Sequence, residues 1–109
     1  YFTQDTGLSH EIATAATTVD DPVLQLPLHA PYDAMIEPGF ADLDNAPAGG
    51  LAGAITAALF LQRFVSETQK FVHFDCYGWQ PSAAPARPKG GVGQGTRALF
   101  QALPRILNL

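Results

Sequence analysis

The feature that most constrains this chain is a long uncharged segment near its middle. From Ala46 to Gln62 there is no charged residue, and the run from Leu51 to Leu61 places apolar side chains on nearly every face of a helix. A membrane span needs about 20 continuous apolar residues, whereas this run is shorter, follows Gly49-Gly50 and ends at Arg63. The segment therefore predicts a core helix that is covered on both sides.

The composition indicates that this helix belongs to a protein with more interior than surface. Apolar residues make up 47% of the 109 residues and charged residues only 15%, where about a quarter is usual. The length allows roughly one domain. Because the chain is so apolar and its first residue is Tyr1 rather than Met, we expect it to be a piece of something larger.

The charge balance excludes one class of partner. Six basic and ten acidic side chains give a net charge of −4, with an isoelectric point near 5.0. Nucleic-acid binding depends on clustered Lys and Arg that neutralise phosphates, so no nucleic-acid partner is expected, and no membrane partner either. The single cysteine, Cys76, cannot close an intramolecular disulfide, which is compatible with the cytoplasm.

Apolar periodicity predicts three further helices. One amphipathic helix runs from about Gly7 to about Thr18, and a short one from Tyr32 to Glu37 lies among proline-rich turns. The last helix begins near Thr96, and Pro104 should kink or restart it. The residues expected to be buried on this last helix are Ala98, Leu99, Ala102, Leu103, Ile106 and Leu107.

The predicted strand content is small. The candidate strands are Lys70 to Cys76 and, more weakly, Tyr1 to Thr3 and Leu24 to Leu26. These segments cannot form an independent sheet that would cover a long apolar helix. Between the strand and the last helix, Trp79 to Gly95 is rich in Pro and Gly and predicts a long loop, of a kind that is often functional.

Two groups of residues raise the question of metal binding. His73 and Asp75 lie two apart on the predicted strand and project to one side, so they could supply two ligands. Two ligands do not make a site, and we favour side chains hydrogen-bonded where the strand leaves the core. The segment Asp42 to Asn45 resembles part of a calcium loop but lacks its glycine and distal glutamate. Capping and turn formation explain it better.

Two other features bear on anion binding and nucleophilic catalysis. Gly91 to Gly95 precedes a predicted helix, whose free N–H groups attract anions, but the spacing is not G-x-G-x-x-G and no strand precedes it. Phosphate binding is therefore a weak hypothesis. Cys76 as a nucleophile would need a base such as His73, yet three residues along an extended strand put them on opposite faces. A small buried thiol is the prediction.

Several segments share their order and spacing with one known family. They are Tyr1 to Asp5, Leu26-Pro27-Leu28 with Tyr32, Ala41 to Asn45, Gly53 to Leu61, Phe64-Val65, His73-Phe74-Asp75 and the glycine-rich loop leading into Thr96 to Leu99. With these segments the chain resembles the cytosol (leucyl) aminopeptidase family over almost its whole length. The resemblance implies that residues 1–109 form a single partial domain, the C-terminal part of the catalytic domain. The implied fold class is α/β, a mixed sheet sandwiched between helices, helix-rich with few strands in this portion.

The resemblance also implies a function for the parent protein. Enzymes of this family remove N-terminal amino acids from peptides with two divalent metal ions, manganese or zinc, held by a lysine and several carboxylates, and they assemble as cytoplasmic hexamers. Their Asn-Thr-Asp-Ala-Glu-Gly-Arg segment and upstream lysine are absent from this chain. No catalytic residue and no metal ligand is therefore assigned here, and the chain alone is expected to be inactive, since a two-metal site needs several convergent carboxylates.

Part of a substrate pocket does carry over by the resemblance. The stretch after the His-x-Asp strand lines the side-chain pocket in the family, where Ala-Gly is common. The matching positions here are Tyr77 and Gly78, and we assign Gln80 to the same pocket. A bulkier wall at Tyr77 would narrow the pocket, so a leucine preference does not follow from the family name.

Two hypotheses from other classes stand beside the aminopeptidase one. The chain could be a non-catalytic binding or assembly module derived from the same fold, and large exposed apolar patches would be its sign. It could also be a small phosphate-binding protein that uses Gly91 to Gly95, in which case phosphate should protect that loop from proteolysis.

Overall fold

The helices form where apolar residues recur at helical spacing. In the computed structural model, which describes residues 1–109, helix α1 spans Thr6–Thr18, α2 spans Gly53–Gln62 and α3 spans Thr96–Ile106. A 3₁₀ helix spans Ala30–Ile36. The four predicted helices are thus confirmed, with bounds shifted by a few residues. None of them reaches the length and apolarity that a bilayer-spanning helix requires.

The sheet consists of one short hairpin. Strand β1, Trp79–Gln80, pairs antiparallel with β2, Gly90–Gly91, so that Trp79 lies opposite Gly91 and Gln80 opposite Gly90. The long predicted loop therefore contains a small ladder at its base. A helix-rich α/β portion with few strands, the predicted fold class, is confirmed.

Residue contacts divide the chain into two units. The first consists of Tyr1–Thr6 and Gln25–His73, and it contains α2 and the 3₁₀ helix. The second consists of Gly7–Leu24 and Phe74–Leu109, and it contains most of α1, the hairpin and α3.

In the first unit, the N-terminal residues pair with the segment that was expected to be the main strand. The amide of Phe2 donates to the carbonyl of His73 at 2.9 Å, and the carbonyl of Phe2 accepts the amide of His73 at 3.0 Å. The Phe2 ring, which is buried, stacks on the His73 ring. The prediction of a strand from Lys70 to Cys76 is wrong beyond this single bridge. The chain offers only one pairing residue to it, and a strand needs a ladder of neighbours.

Helix α2 is only partly buried. It packs against the 3₁₀ helix, and its buried residues are Thr56, Ala58 and Leu59. Leu61 is exposed, as is Leu51 just before the helix. The prediction of a helix covered on both sides is therefore wrong for this chain by itself, because its own residues cover one side and supply nothing for the other.

In the second unit, both α1 and α3 end in the same backbone motif. After α1, Asp20 adopts a left-handed conformation with φ of 49°, and the amide of Asp21 donates to the carbonyl of Ala16 at 3.0 Å. After α3, Asn108 has φ of 57° and the amide of Leu109 donates to Pro104 at 2.8 Å. These are the bonds of a Schellman cap. At α1, the cap delivers Asp21 to a buried position.

Helix α3 runs through Pro104 without a break. Proline removes the N–H that would bond to the carbonyl of Phe100, four residues earlier, but Phe100 is exposed, so water can satisfy that carbonyl. Of the two predicted effects of Pro104, a kink or a restart, the restart is therefore wrong. Ala98 and Ala102 are buried as expected, whereas Leu107 is exposed because it lies in the cap and no longer faces the core.

Candidate functional site

The residues assigned to the substrate pocket lie at the base of the hairpin in the second unit. Tyr77 and Gly78 immediately precede β1, and Gln80 is its last residue. Gly78 has φ of +64°, a left-handed conformation that favours glycine, so the chain turns there into the hairpin. Tyr77 is 76% exposed. It is therefore available to line a pocket.

The turn at Gly78 is held by the other side of the loop. The Gly78 carbonyl accepts the amide of Val92 at 3.0 Å, and the Gly78 amide donates to Oε1 of Gln94 at 2.8 Å. Both backbone polar groups of Gly78 are thus bonded. The Gln80 side chain, in contrast, bonds just beyond the end of β1, where Nε2 donates to the carbonyl of Ser82 at 2.8 Å. Tyr77 and Gly78 are neighbours in the sequence, and the Gln80 side chain is hydrogen-bonded locally, so the assignment of these three residues to a pocket stays a prediction.

Cys76 lies on the same turn and is exposed, so the prediction of a buried thiol is wrong. Its Sγ donates to the carbonyl of Gln94 at 3.3 Å. The strand that should have buried it ends at the bridge of His73, so Cys76 already belongs to the loop. Asp75 is likewise exposed. The His73 and Asp75 side chains were both expected to be hydrogen-bonded where the strand leaves the core, whereas in the structure the His73 ring stacks on the Phe2 ring.

The glycine-rich end of the loop is anchored by a buried carboxylate. Asp21 accepts hydrogen bonds from the amides of Gly95, Arg97 and Ala98 at 3.0, 3.0 and 3.1 Å. These amides are the free N–H groups at the start of α3. Asp21 therefore caps the helix from a distant part of the sequence, in place of a capping side chain at Gly95. Arg97 adds a bond from its guanidinium to the carbonyl of Asp20 at 2.8 Å.

The environment of Asp21 changes its pKa. Burial by itself raises the pKa of a carboxyl group, but the amides of Gly95, Ala98 and Arg97, together with the positive charge of Arg97, outweigh it. The net result is a pKa below the usual value of this side chain. Asp21 is thus a carboxylate in the folded protein, as its role as a triple acceptor requires.

Glycine is required at position 95 for two reasons. Its φ is +76°, and a Cβ would approach Cδ1 of Phe74 to 3.0 Å. Gly95 therefore allows the loop to pack closely against Phe74. The phosphate hypothesis finds no support here, because the amides that would bind an anion already bind the Asp21 carboxylate, and a second negative charge would be repelled.

The acidic segment at 42–45 is a turn in the first unit. Oδ1 of Asp44 accepts the amide of Ala46 at 2.8 Å, and the amide of Asp44 donates to the carbonyl of Ile36 at 2.8 Å. This is the local hydrogen bonding of an Asx turn. The predicted turn is confirmed.

Sequence reasoning missed the two residues that organise this loop, Asp21 and Gln94. A signal for Asp21 was present, because α3 begins after Gly95 and so lacks a capping side chain of its own, which means that its amides need an acceptor from elsewhere. No comparable signal existed for Gln94, whose role depends on how the loop folds back.

Comparison with known proteins gives consistent matches. The model of the cytosol aminopeptidase family, catalytic domain, matches residues 1–100. A probable cytosol aminopeptidase of Rickettsia bellii is 38% identical over 101 residues, which are 90% of this chain and 20% of that protein. The chain thus spans about one fifth of the length of the curated relatives it matches.

Solved structures agree with the sequence matches. The crystal structure of the cytosol aminopeptidase from Coxiella burnetii superposes with a TM-score of 0.88 at 40% identity, over 95% of this chain and 23% of that one. The bottromycin maturation enzyme BotP, solved in complex with Mn, gives a TM-score of 0.86 at 29% identity, over 96% of this chain and 24% of that one. The fold is thus of the class of α/β catalytic domains. The chain belongs to the cytosol aminopeptidase family, and the matches are consistent with the C-terminal part of its catalytic domain.

The chain does not form a metal centre by itself. No three His, Cys, Asp or Glu side chains come together anywhere in residues 1–109. Asp21 uses its oxygens on backbone amides, and Asp44 uses one of its own in a turn. A pair of divalent ions needs several convergent carboxylates, and these residues cannot provide them.

Proposed function

We propose that this chain is part of a metal-dependent aminopeptidase of the leucyl type, which hydrolyses N-terminal amino acids from peptides. The observation that carries the proposal is the family match over residues 1–100, supported by a fold superposing at a TM-score of 0.88 on a cytosol aminopeptidase. In this proposal, residues outside the chain hold two divalent metal ions, either Mn or Zn. The similarity to BotP, which was solved in complex with Mn, supports a divalent metal.

The role of the chain in that enzyme is to supply part of the substrate pocket and of the scaffold around it. Residues 1–109 then form a single partial domain, and Tyr77, Gly78 and Gln80 line the pocket that receives the N-terminal side chain of the peptide. A tyrosine at position 77 fills more space than alanine, so the pocket accepts smaller side chains. The full-length protein is proposed to be a cytoplasmic homo-hexamer.

The first test compares the chain with the longer polypeptide. The coding sequence before Tyr1 should encode a segment like Asn-Thr-Asp-Ala-Glu-Gly-Arg with a lysine before it. With Mn²⁺ or Zn²⁺, the full-length protein should release the leucine of leucine p-nitroanilide, and the 109-residue chain should not. Metal-dependent turnover by the chain alone, or an upstream sequence without carboxylates, contradicts the proposal.

The second test concerns the pocket. In the full-length enzyme, Tyr77→Ala should raise kcat/KM for a large N-terminal residue relative to alanine by about tenfold, since a change in pocket volume shifts discrimination by about 10 to 200-fold. Phe100→Ala is the matched control, because Phe100 is an equally exposed aromatic residue outside the loop. An unchanged ranking of substrates in Tyr77→Ala removes Tyr77 from the pocket.

The alternative is a non-catalytic binding or assembly module. Its sign would be a large exposed apolar patch, and the observation that favours it is the exposure of Phe40 and Leu51 in the first unit, which are 91% and 81% exposed. A gene that encodes no metal-binding half would favour this alternative over the enzyme.

A further inference from the structure

Resting on the proposed pocket, we infer that Gln94 is a positioning residue that fixes Tyr77, and thereby sets which N-terminal side chains the enzyme accepts. Gln94 lies well after Tyr77 in the sequence, at the far end of the same long loop. It acts through the backbone and does not touch substrate.

The geometry places the contacts of Gln94 on both neighbours of Tyr77. Its side-chain Oε1 accepts the amide of Gly78 at 2.8 Å, and its carbonyl oxygen accepts the thiol of Cys76 at 3.3 Å. One residue thus holds the positions before and after Tyr77. The direction in which the Tyr77 side chain leaves the backbone follows from these two positions.

Local backbone preference does not fix this turn. Gly78 has no side chain and readily adopts conformations of either sign of φ, so its observed φ of +64° needs a hydrogen bond to select it. Two hydrogen bonds are available for this: the Gly78 amide donates to the Gln94 side chain, and the Gly78 carbonyl accepts from the Val92 amide. Of these two, only the bond to Gln94 depends on the identity of a side chain.

Gln94 can hold the turn because it is itself held. The next residue, Gly95, donates its amide to the buried Asp21 carboxylate at 3.0 Å and packs closely on Phe74. The support therefore runs from Asp21 through Gly95 to Gln94 and then to Gly78. A functional group must be held to about half an ångström by its supporting residues, and this series of contacts supplies such support to an otherwise exposed tyrosine.

The test uses the full-length polypeptide that carries this chain. Gln94→Met removes the acceptor at nearly constant size, while Gln94→Glu keeps an oxygen that can accept the Gly78 amide. With a series of aminoacyl p-nitroanilides, Gln94→Met should raise KM for the preferred residue about 3- to 10-fold, the range set by one lost hydrogen bond, and reduce discrimination between residues. The kcat of Gln94→Met should stay within about twofold of the wild-type value. The KM of Gln94→Glu should be close to that of the wild type.

Two controls distinguish a positioning role of Gln94 from a loss of folded enzyme and from a wrong pocket assignment. Gln101→Met makes the same change at an exposed position of α3 and should leave all constants unchanged. If Tyr77→Ala changes the substrate ranking and Gln94→Met does not, the positioning role is wrong while the proposed function stands. If neither changes the ranking, the pocket assignment itself is wrong. A fall in kcat alone, with KM and ranking intact, would show a loss of folded enzyme and also contradict the positioning role.

Discussion

Two hydrogen-bonded clusters, one in each unit of the chain, are built around carboxylates in different surroundings. In the second unit, Asp21 is only 5% exposed and accepts three backbone amides at 3.0 to 3.1 Å. In the first unit, Arg63 donates to Glu37 at 2.7 Å and lies 3.3 Å from Asp33, with all three side chains exposed to water. The shorter contact lies in the exposed cluster. Which cluster stabilises the fold is decided by burial and by the number of donors that would lose their acceptor without the carboxylate, and not by distance.

The largest effect is expected from removing the Asp21 carboxylate. Asp21→Ala leaves three amides at the start of α3 without an acceptor, two of them buried, and should lower the free energy of unfolding by about 2–4 kcal/mol. Asp21→Asn keeps one acceptor oxygen and should cost less. Urea denaturation followed by circular dichroism measures both.

Asp42→Ala is the matched control for this prediction, because Asp42 is exposed and lies in a turn of the first unit. It should change the free energy of unfolding by no more than about 0.5 kcal/mol, as surface substitutions do. If Asp21→Ala behaves like Asp42→Ala, the three amides find water instead, and the comparison between the clusters no longer holds.

A smaller effect is expected from acid. The pKa of Asp21 is lower in the folded than in the unfolded chain, where a value of about 3.9 applies. Its contribution to stability is therefore complete above about pH 4 and is lost as the pH falls through the lower, folded pKa. As the pH is lowered below 4, the urea concentration at the unfolding midpoint should decrease more steeply for the wild type than for Asp21→Asn, which has no titrating group at this position. Parallel curves for the two proteins would show that other carboxylates cause the acid loss.

The sequence was sufficient for the helices because their signals are local. The spacing of apolar residues from Gly7 to Thr18 and the start at Thr96 both appear in the structure within a residue or two. The strand prediction at 70–76 failed because a strand is defined by its partner, and this chain gives His73 one partner residue in Phe2. The predicted burial of α2 failed in the same way, since burial depends on what else covers the helix.

The candidate site was predictable only in part, for a related reason. Tyr77 and Gly78 are predicted as pocket residues by resemblance, which needs only their place after the His-x-Asp segment. The residues that hold them could not be predicted, because Asp21 meets Gly95 and Gln94 meets Gly78 across 74 and 16 positions of sequence. No periodicity or motif encodes such contacts, and only the folded loop brings them together.

The smallest effect is expected from the exposed cluster, and it sharpens the comparison. The hydrogen bond to Glu37, with the nearby Asp33, raises the pKa of Arg63, which leaves its charge unchanged at neutral pH. Arg63→Met keeps the apolar stem and removes the charge. Urea denaturation in physiological salt should therefore show no resolvable change in the free energy of unfolding. In low salt, where exposed charges are less screened, the free energy of unfolding should decrease at most slightly. Glu37→Gln should behave alike, as both remove the same contact. A clear decrease in the free energy of unfolding that persists in high salt would mean that water does not compensate for this contact. Both clusters would then stabilise the fold, by different amounts.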